Sequence, residues 1–189
     1  MRTFALAVVL LPWSAAAVFA QERWRGPYDE IRPFAGAFVP LGAERADFRS
    51  ATMVGVQLAA DLTRHFHGVV SLSWTHGHNR MFTKDLTHIW QYDGGLEFNA
   101  VRDMGRGWYL HPFVGAGIGG RTYDYADHLA KNTSCIAAYG SVGAEIQRKV
   151  ITLRAEARDY LSCYESPIST ERRSRNDLGL TVGVAFHRR

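Results

Sequence analysis

From residue 31 onward, large apolar side chains recur at every second position, a spacing that belongs to strands with two unlike faces rather than to helices. Eight segments carry the pattern: "IRPFAGAFVPLG" (31–42), "ATMVGVQLAAD" (51–61), "VVSLSWTHG" (69–77), "IWQYDGGLEFNA" (89–100), "WYLHPFVGAGIGGR" (108–121), "YGSVGAEIQ" (139–147), "ITLRAEARDYL" (151–161) and "NDLGLTVGVAFHRR" (176–189). In the second, Val54, Val56, Leu58 and Ala60 oppose Gly55, Gln57, Ala59 and Asp61. In the fourth, Trp90, Tyr92, Leu96 and Phe98 oppose Gln91, Asp93, Glu97 and Asn99. In the last, Leu180, Val182, Val184 and Phe186 oppose Thr181, Gly183 and Ala185. No segment has a helical period, and in the first segment Pro33 and Pro40 fall near the ends, where a missing N–H is tolerated. The prediction is an all-β chain of eight antiparallel strands.

The connections alternate as well. "LTRHFHG", "VRDMGRG" and "RKV" follow the second, fourth and sixth segments. "GAERADFRS", "HNRMFTKDLT", "TYDYADHLAKNTS" and "CYESPISTERRSRN" follow the first, third, fifth and seventh. Short turns at one rim and longer polar loops at the other form the signature of an up-and-down transmembrane barrel, with the short turns on the periplasmic side. The texture of the faces fixes which one is outside. The polar face is rich in Gly, Ser and Ala, as a crowded lumen requires, while Trp74, Trp90, Tyr92, Phe98, Trp108 and Phe186 lie toward strand ends on the apolar face, where aromatic girdles sit.

An inward polar face then brings charges into the lumen: Asp93, Glu97, Glu145, Arg154, Glu156 and Arg158. A turn at Lys149-Val150 places Glu145 directly across from Arg154, with Glu156 and Arg158 continuing the ladder. Charges removed from water must pair, because each costs several kcal/mol alone. The expected interior is plugged and salt-bridged rather than an open pore.

Composition adds a leader and removes some function classes. The first 20 residues, "MRTFALAVVLLPWSAAAVFA", run from Arg2 through an apolar stretch to small residues ending at Ala20, the form of a secretory signal peptide. Residues 21–30 read as a short periplasmic leader and 31–189 as the barrel domain. The net charge of +4 is modest and the basic residues are scattered, so no nucleic-acid role is expected. Export permits a disulfide between Cys135 and Cys163, which this register leaves one residue out of step.

Candidate chemistry is sparse. His65 and His67 are spaced to share a strand face, and His76, His78 and His88 flank the second long loop. No carboxylate or cysteine cluster completes a ligand set, so neither a metal nor another cofactor is expected. His88 near Asp85, or His128 near Asp124 and Asp127, supplies a base and its orienter for a lipid-modifying barrel enzyme, but no serine stands beside them in a recognisable signature. A narrow carrier for small hydrophobic compounds is a further alternative. Arg172, Arg173 and Arg175 make the fourth long loop a candidate contact for lipopolysaccharide phosphates.

The leader, the eight alternating segments, the inward "RAEAR" of the seventh and the closing "GLTVGVAF" together resemble the small outer-membrane β-barrel family of Gram-negative bacteria, the OmpA-like and Ail-like class. The resemblance covers essentially the whole mature chain through patterns rather than fixed residues. It implies an outer-membrane location, contact with outer-membrane lipid and lipopolysaccharide, a monomer, and insertion by the barrel-assembly machinery reading Phe186. The chain departs from the family in one respect, since His187, Arg188 and Arg189 follow that aromatic. The function expected is structural or interactive, with no catalytic residues and four loops displayed outside.

Overall fold

The computed structural model describes residues 30–41, 50–78, 86–125, 133–149, 151–165 and 172–186; at 78, 86, 125, 133, 163–165, 172–175 and 186 it describes the backbone alone. The strands among these residues are β1 (Glu30–Pro40), β2 (Ala51–Asp61), β3 (Phe66–His78), β4 (Leu86–Asn99), β5 (Arg102–Gly105), β6 (Trp108–Tyr125), β7 (Thr133–Arg148), β8 (Ile151–Glu165) and β9 (Arg172–Phe186). Every neighbouring pair is antiparallel, and β4 pairs directly with β6. The sheet closes on itself where β1 meets β9, from Phe34 opposite Gly183 to Pro40 opposite Asp177. The short β5 continues the line of β4 along β6 after a break at Ala100, whose N–H donates to the Pro112 carbonyl at 3.0 Å. The result is a closed eight-strand antiparallel barrel.

The turns at one rim explain their own residues. Between β2 and β3, the N–H groups of Leu62 and Thr63 donate to the Phe66 carbonyl at 2.9 and 3.0 Å. The Thr63 hydroxyl in turn accepts from the Phe66 N–H at 3.1 Å, a local bond that favours a turn over a continued strand. Between β5 and β6, Gly105 pairs with Trp108, and the two residues between them, Arg106 and Gly107, have φ of 54° and 75°. Positive φ at both central positions is the requirement of a tight hairpin whose twist matches its strands. The β7–β8 connection is as short, with Arg148 paired to Ile151. The four longer connections, 42–49, 79–85, 126–132 and 166–171, lie outside the described residues.

The strands run further into those connections than the apolar alternation does: β3 reaches His78, β6 reaches Tyr125 and β9 begins at Arg172. Ladder hydrogen bonds need no apolar side chain, so pairing continues past the point where the pattern fades. The segment "VRDMGRG", expected as a bare turn, contains β5 for the same reason.

The alternation is oriented inside out relative to a water-soluble barrel. Ile136, Ile118 and Val182 are 75%, 69% and 65% exposed on the outer surface, whereas Arg121, Arg154 and Glu97 are buried inside. On β7, outward positions free of charge extend from Ile136 to Ile146. Ten steps of a tilted strand rise roughly 25 Å, the height of a bilayer's apolar band. Leu180 and Val182 face outward while Gly183 and Ala185 are buried, as the closing segment's pattern predicts.

Candidate functional site

Two kinds of packing follow one another along the lumen from the short-turn rim to the far rim, an ionic ladder and an apolar cluster. At the short-turn end, Arg32 donates through Nε to Glu30 at 2.7 Å and through Nη1 approaches Glu145 at 3.2 Å. The two-residue turn sets Glu145 opposite Arg154 in the β7–β8 register. Arg154 joins three carboxylates: Nη1 lies 2.6 Å from Glu145 and 3.2 Å from Glu97, Nη2 lies 2.5 Å from Glu97, and both Nη2 and Nε reach Glu156. The other Glu156 oxygen accepts from Arg158 at 2.8 Å, and Gln57 donates to Glu156 at 3.0 Å.

Asp93 ends the ladder. Its Oδ2 accepts from Gln91 at 3.0 Å, from the Tyr160 hydroxyl at 3.1 Å, from Ser71 at 3.2 Å and from Arg158 at 3.3 Å. Gln91 also accepts from Arg121, which forms a further ion pair with Asp177. Paired and multiply bonded, these charges occupy a water-poor interior without the large penalty of isolated ions.

Each of three guanidinium planes also lies against an aromatic ring. Arg154 is centred 3.6 Å from the Phe113 ring, Arg158 4.4 Å from Tyr139 and Arg121 4.5 Å from Tyr160. The planar, weakly hydrated head of arginine suits this stacking in a way that a lysine ammonium does not. Gly117 makes room for it: a Cβ there would come within 2.6 Å of the Tyr139 ring.

At the far end the filling becomes apolar. Phe38, Met53, Ile89 and Tyr123 form a buried cluster, with Phe34 and Cys135 packed against it. Arg121 marks the boundary, since its guanidinium also faces the Phe38 ring at 5.4 Å.

All six charges anticipated from the sequence, Asp93, Glu97, Glu145, Arg154, Glu156 and Arg158, thus lie in one connected network. Glu30, Arg32, Gln57 and Asp177, which are not among those six, also lie on the buried faces of their strands. The apolar far end likewise has no counterpart among the sequence expectations.

The remaining candidates are dispersed. His67 is paired with Asp61, and His65 sits in the turn with Nδ1 3.3 Å from the Asn99 carbonyl, so the two do not share a face. His76 and His88 are brought together across β3 and β4, and Asp124 stands opposite His88 on β6. Asp85, Asp127 and His128 lie outside the described residues, as do the side chains of His78, Arg172, Arg173, Arg175 and Phe186. The expected Cys135–Cys163 bridge depends on a Cys163 side chain that is also outside them; in the backbone register Cys135 pairs with Arg121 and Cys163 with Ser174.

No protein-family model matches the sequence, and no curated protein matches it. Solved structures do match. Neisserial surface protein A aligns with a TM-score of 0.59 at 8% identity, over 87% of this chain and 100% of that one. The fold is that of the small eight-stranded outer-membrane barrels. The N-terminal β-barrel domain of Pseudomonas aeruginosa OprF gives a TM-score of 0.53 at 15% identity, over 85% of this chain and 100% of that one. The outer membrane enzyme PagL gives 0.49 at 12% identity, over 84% and 99%. At these identities the likeness concerns architecture, and function rests on this barrel's own side chains.

Proposed function

We propose that the chain is exported, loses residues 1–20 and inserts in the bacterial outer membrane as a monomeric platform whose role is structural or interactive. The four longer connections face the outside, the short turns face the periplasm, and lipopolysaccharide and outer-membrane lipid surround the wall. The barrel-assembly machinery reads the last strand through Phe186. One observation carries this reading: the interior is occupied along its length, by an ionic ladder and then by the Phe38, Met53, Ile89 and Tyr123 cluster, inside a wall whose outer surface is apolar. A lumen filled in this way favours display over transport.

Three measurements test it together. Protease added to intact cells is expected to cut within the long connections and leave the strands protected. Planar-bilayer recordings are expected to show no large, stable conductance, and the mass spectrum of lipid A is expected to be the same with and without the protein. Stable channels would favour a conduit, and changed acylation would favour a lipid-modifying enzyme; either result would replace the platform reading.

A further inference from the structure

His76 and His88 are twelve residues apart in sequence and directly opposite in the β3–β4 register. Both are half-buried on the outer wall toward the far rim, in the row beyond the paired Trp74 and Trp90. Their Nδ1 atoms are 3.4 Å apart and their ring centroids 5.0 Å apart. The Trp74 indole stacks on His88 with centroids 5.7 Å apart and planes inclined by 16°, and its N–H points at the same His88 Nδ1 from 3.2 Å. That indole bond uses the lone pair of His88 Nδ1. Two imidazole nitrogens thus converge from adjacent strands of a rigid sheet.

We infer that this pair is a binding site for a divalent transition-metal ion of the copper, nickel and zinc type, held by the Nδ1 atoms of His76 and His88. Two ligands at the usual metal–nitrogen length of ~2.0–2.1 Å around a tetrahedral ion are about 3.3–3.4 Å apart, matching the separation already built into the sheet. Binding needs no strand movement. It requires His76 to carry its proton on Nε2, and the ion takes the place of the indole N–H on His88 Nδ1. Imidazole ligands select this class of ion over magnesium or calcium, with Cu²⁺ the tightest. Among the described residues no third His, Cys, Asp or Glu joins them in a ligand group, and water or a phosphate oxygen at the membrane surface would complete the coordination. Asp124, across from His88, adds a negative charge on the neighbouring strand.

Trp74 supplies the readout, because a paramagnetic ion bound beside it quenches its emission. Folded protein in detergent micelles is titrated with CuCl₂, NiCl₂ and ZnCl₂, alongside His76→Ala, His88→Ala and Trp74→Phe, each verified as folded by its heat-modifiable gel mobility. The expected result is saturable quenching by Cu²⁺ and then Ni²⁺, reversed by EDTA, with Zn²⁺ competing. Either histidine substitution should weaken the apparent affinity at least tenfold, and Trp74→Phe should reduce the quenching, leaving the part that comes from the neighbouring Trp90, while equilibrium dialysis still finds one bound Cu²⁺. Unchanged saturable quenching in both histidine variants, or no saturable quenching in the unaltered protein, would overturn the site.

Discussion

The middle of the lumen and its far end solve the same packing problem with opposite materials. Around Arg154 the space between strands is filled by charges that solvate one another, and around Phe38 it is filled mainly by the side chains of Met53, Ile89 and Tyr123, with Arg121 at their boundary. The first arrangement is specific and brittle: Glu97 and Glu145 are shared between Arg32 and Arg154, and Glu156 between Arg154 and Arg158, so losing one guanidinium unbalances several carboxylates. The second is less directional, and its losses scale with the volume removed. A barrel that used only the first would keep a polar path from rim to rim, and one that used only the second would have little to fix the relative heights of its strands.

Removing one member of the ladder should produce the largest effect. Arg154→Ala leaves Glu97, Glu145 and Glu156 facing each other and is expected to cost roughly 3–5 kcal/mol, read as a lowered urea midpoint for unfolding from detergent or bilayer. An intact midpoint would mean that Arg32, Arg158 and water suffice to stabilise those carboxylates without Arg154. Phe38→Ala at the far end is expected to cost about 3 kcal/mol by opening a cavity, without the sensitivity to salt and pH that a ladder variant should show. Equal salt dependence in the two variants would erase the distinction between the regions. Val182→Arg on the outer wall should cost about 2 kcal/mol in a bilayer and much less in detergent, where the arginine can reach water. The same cost in both media would argue against lipid contact at that position.

The wall and one half of the lumen were legible in the sequence because both follow from the strand period. Leu180, Val182, Gly183 and Ala185 needed only alternation, and Glu145 opposite Arg154 needed only a turn of known length. The far end was not legible: Met53, Ile89 and Tyr123 are apolar residues on the inward parity, and the rule that reads apolar as lipid-facing passes over them. Arg121 and Asp177 were hidden for another reason. They are 56 residues apart and meet across the lumen rather than along a pair of neighbouring strands, so no local spacing announces them. The stacking of Arg154 on Phe113 is equally long-range, joining β8 to β6. The His76–His88 pair is an intermediate case, since it follows from the β3–β4 register, but β3 and β4 are joined by the connection 79–85, whose length does not fix a register as a two-residue turn does.

The seam between β1 and β9 joins the first strand of the sheet to the last, so the ring has no closure until Phe34 meets Gly183. Until that moment two rows of backbone N–H and C=O groups are exposed, each a template for any other extended chain. The finished protein presents no such edge. Its hazard is therefore one of timing rather than of stability: the dangerous species is the chain with eight strands made and one bond line missing, and the cell must shepherd that species to the membrane before it meets its own copy.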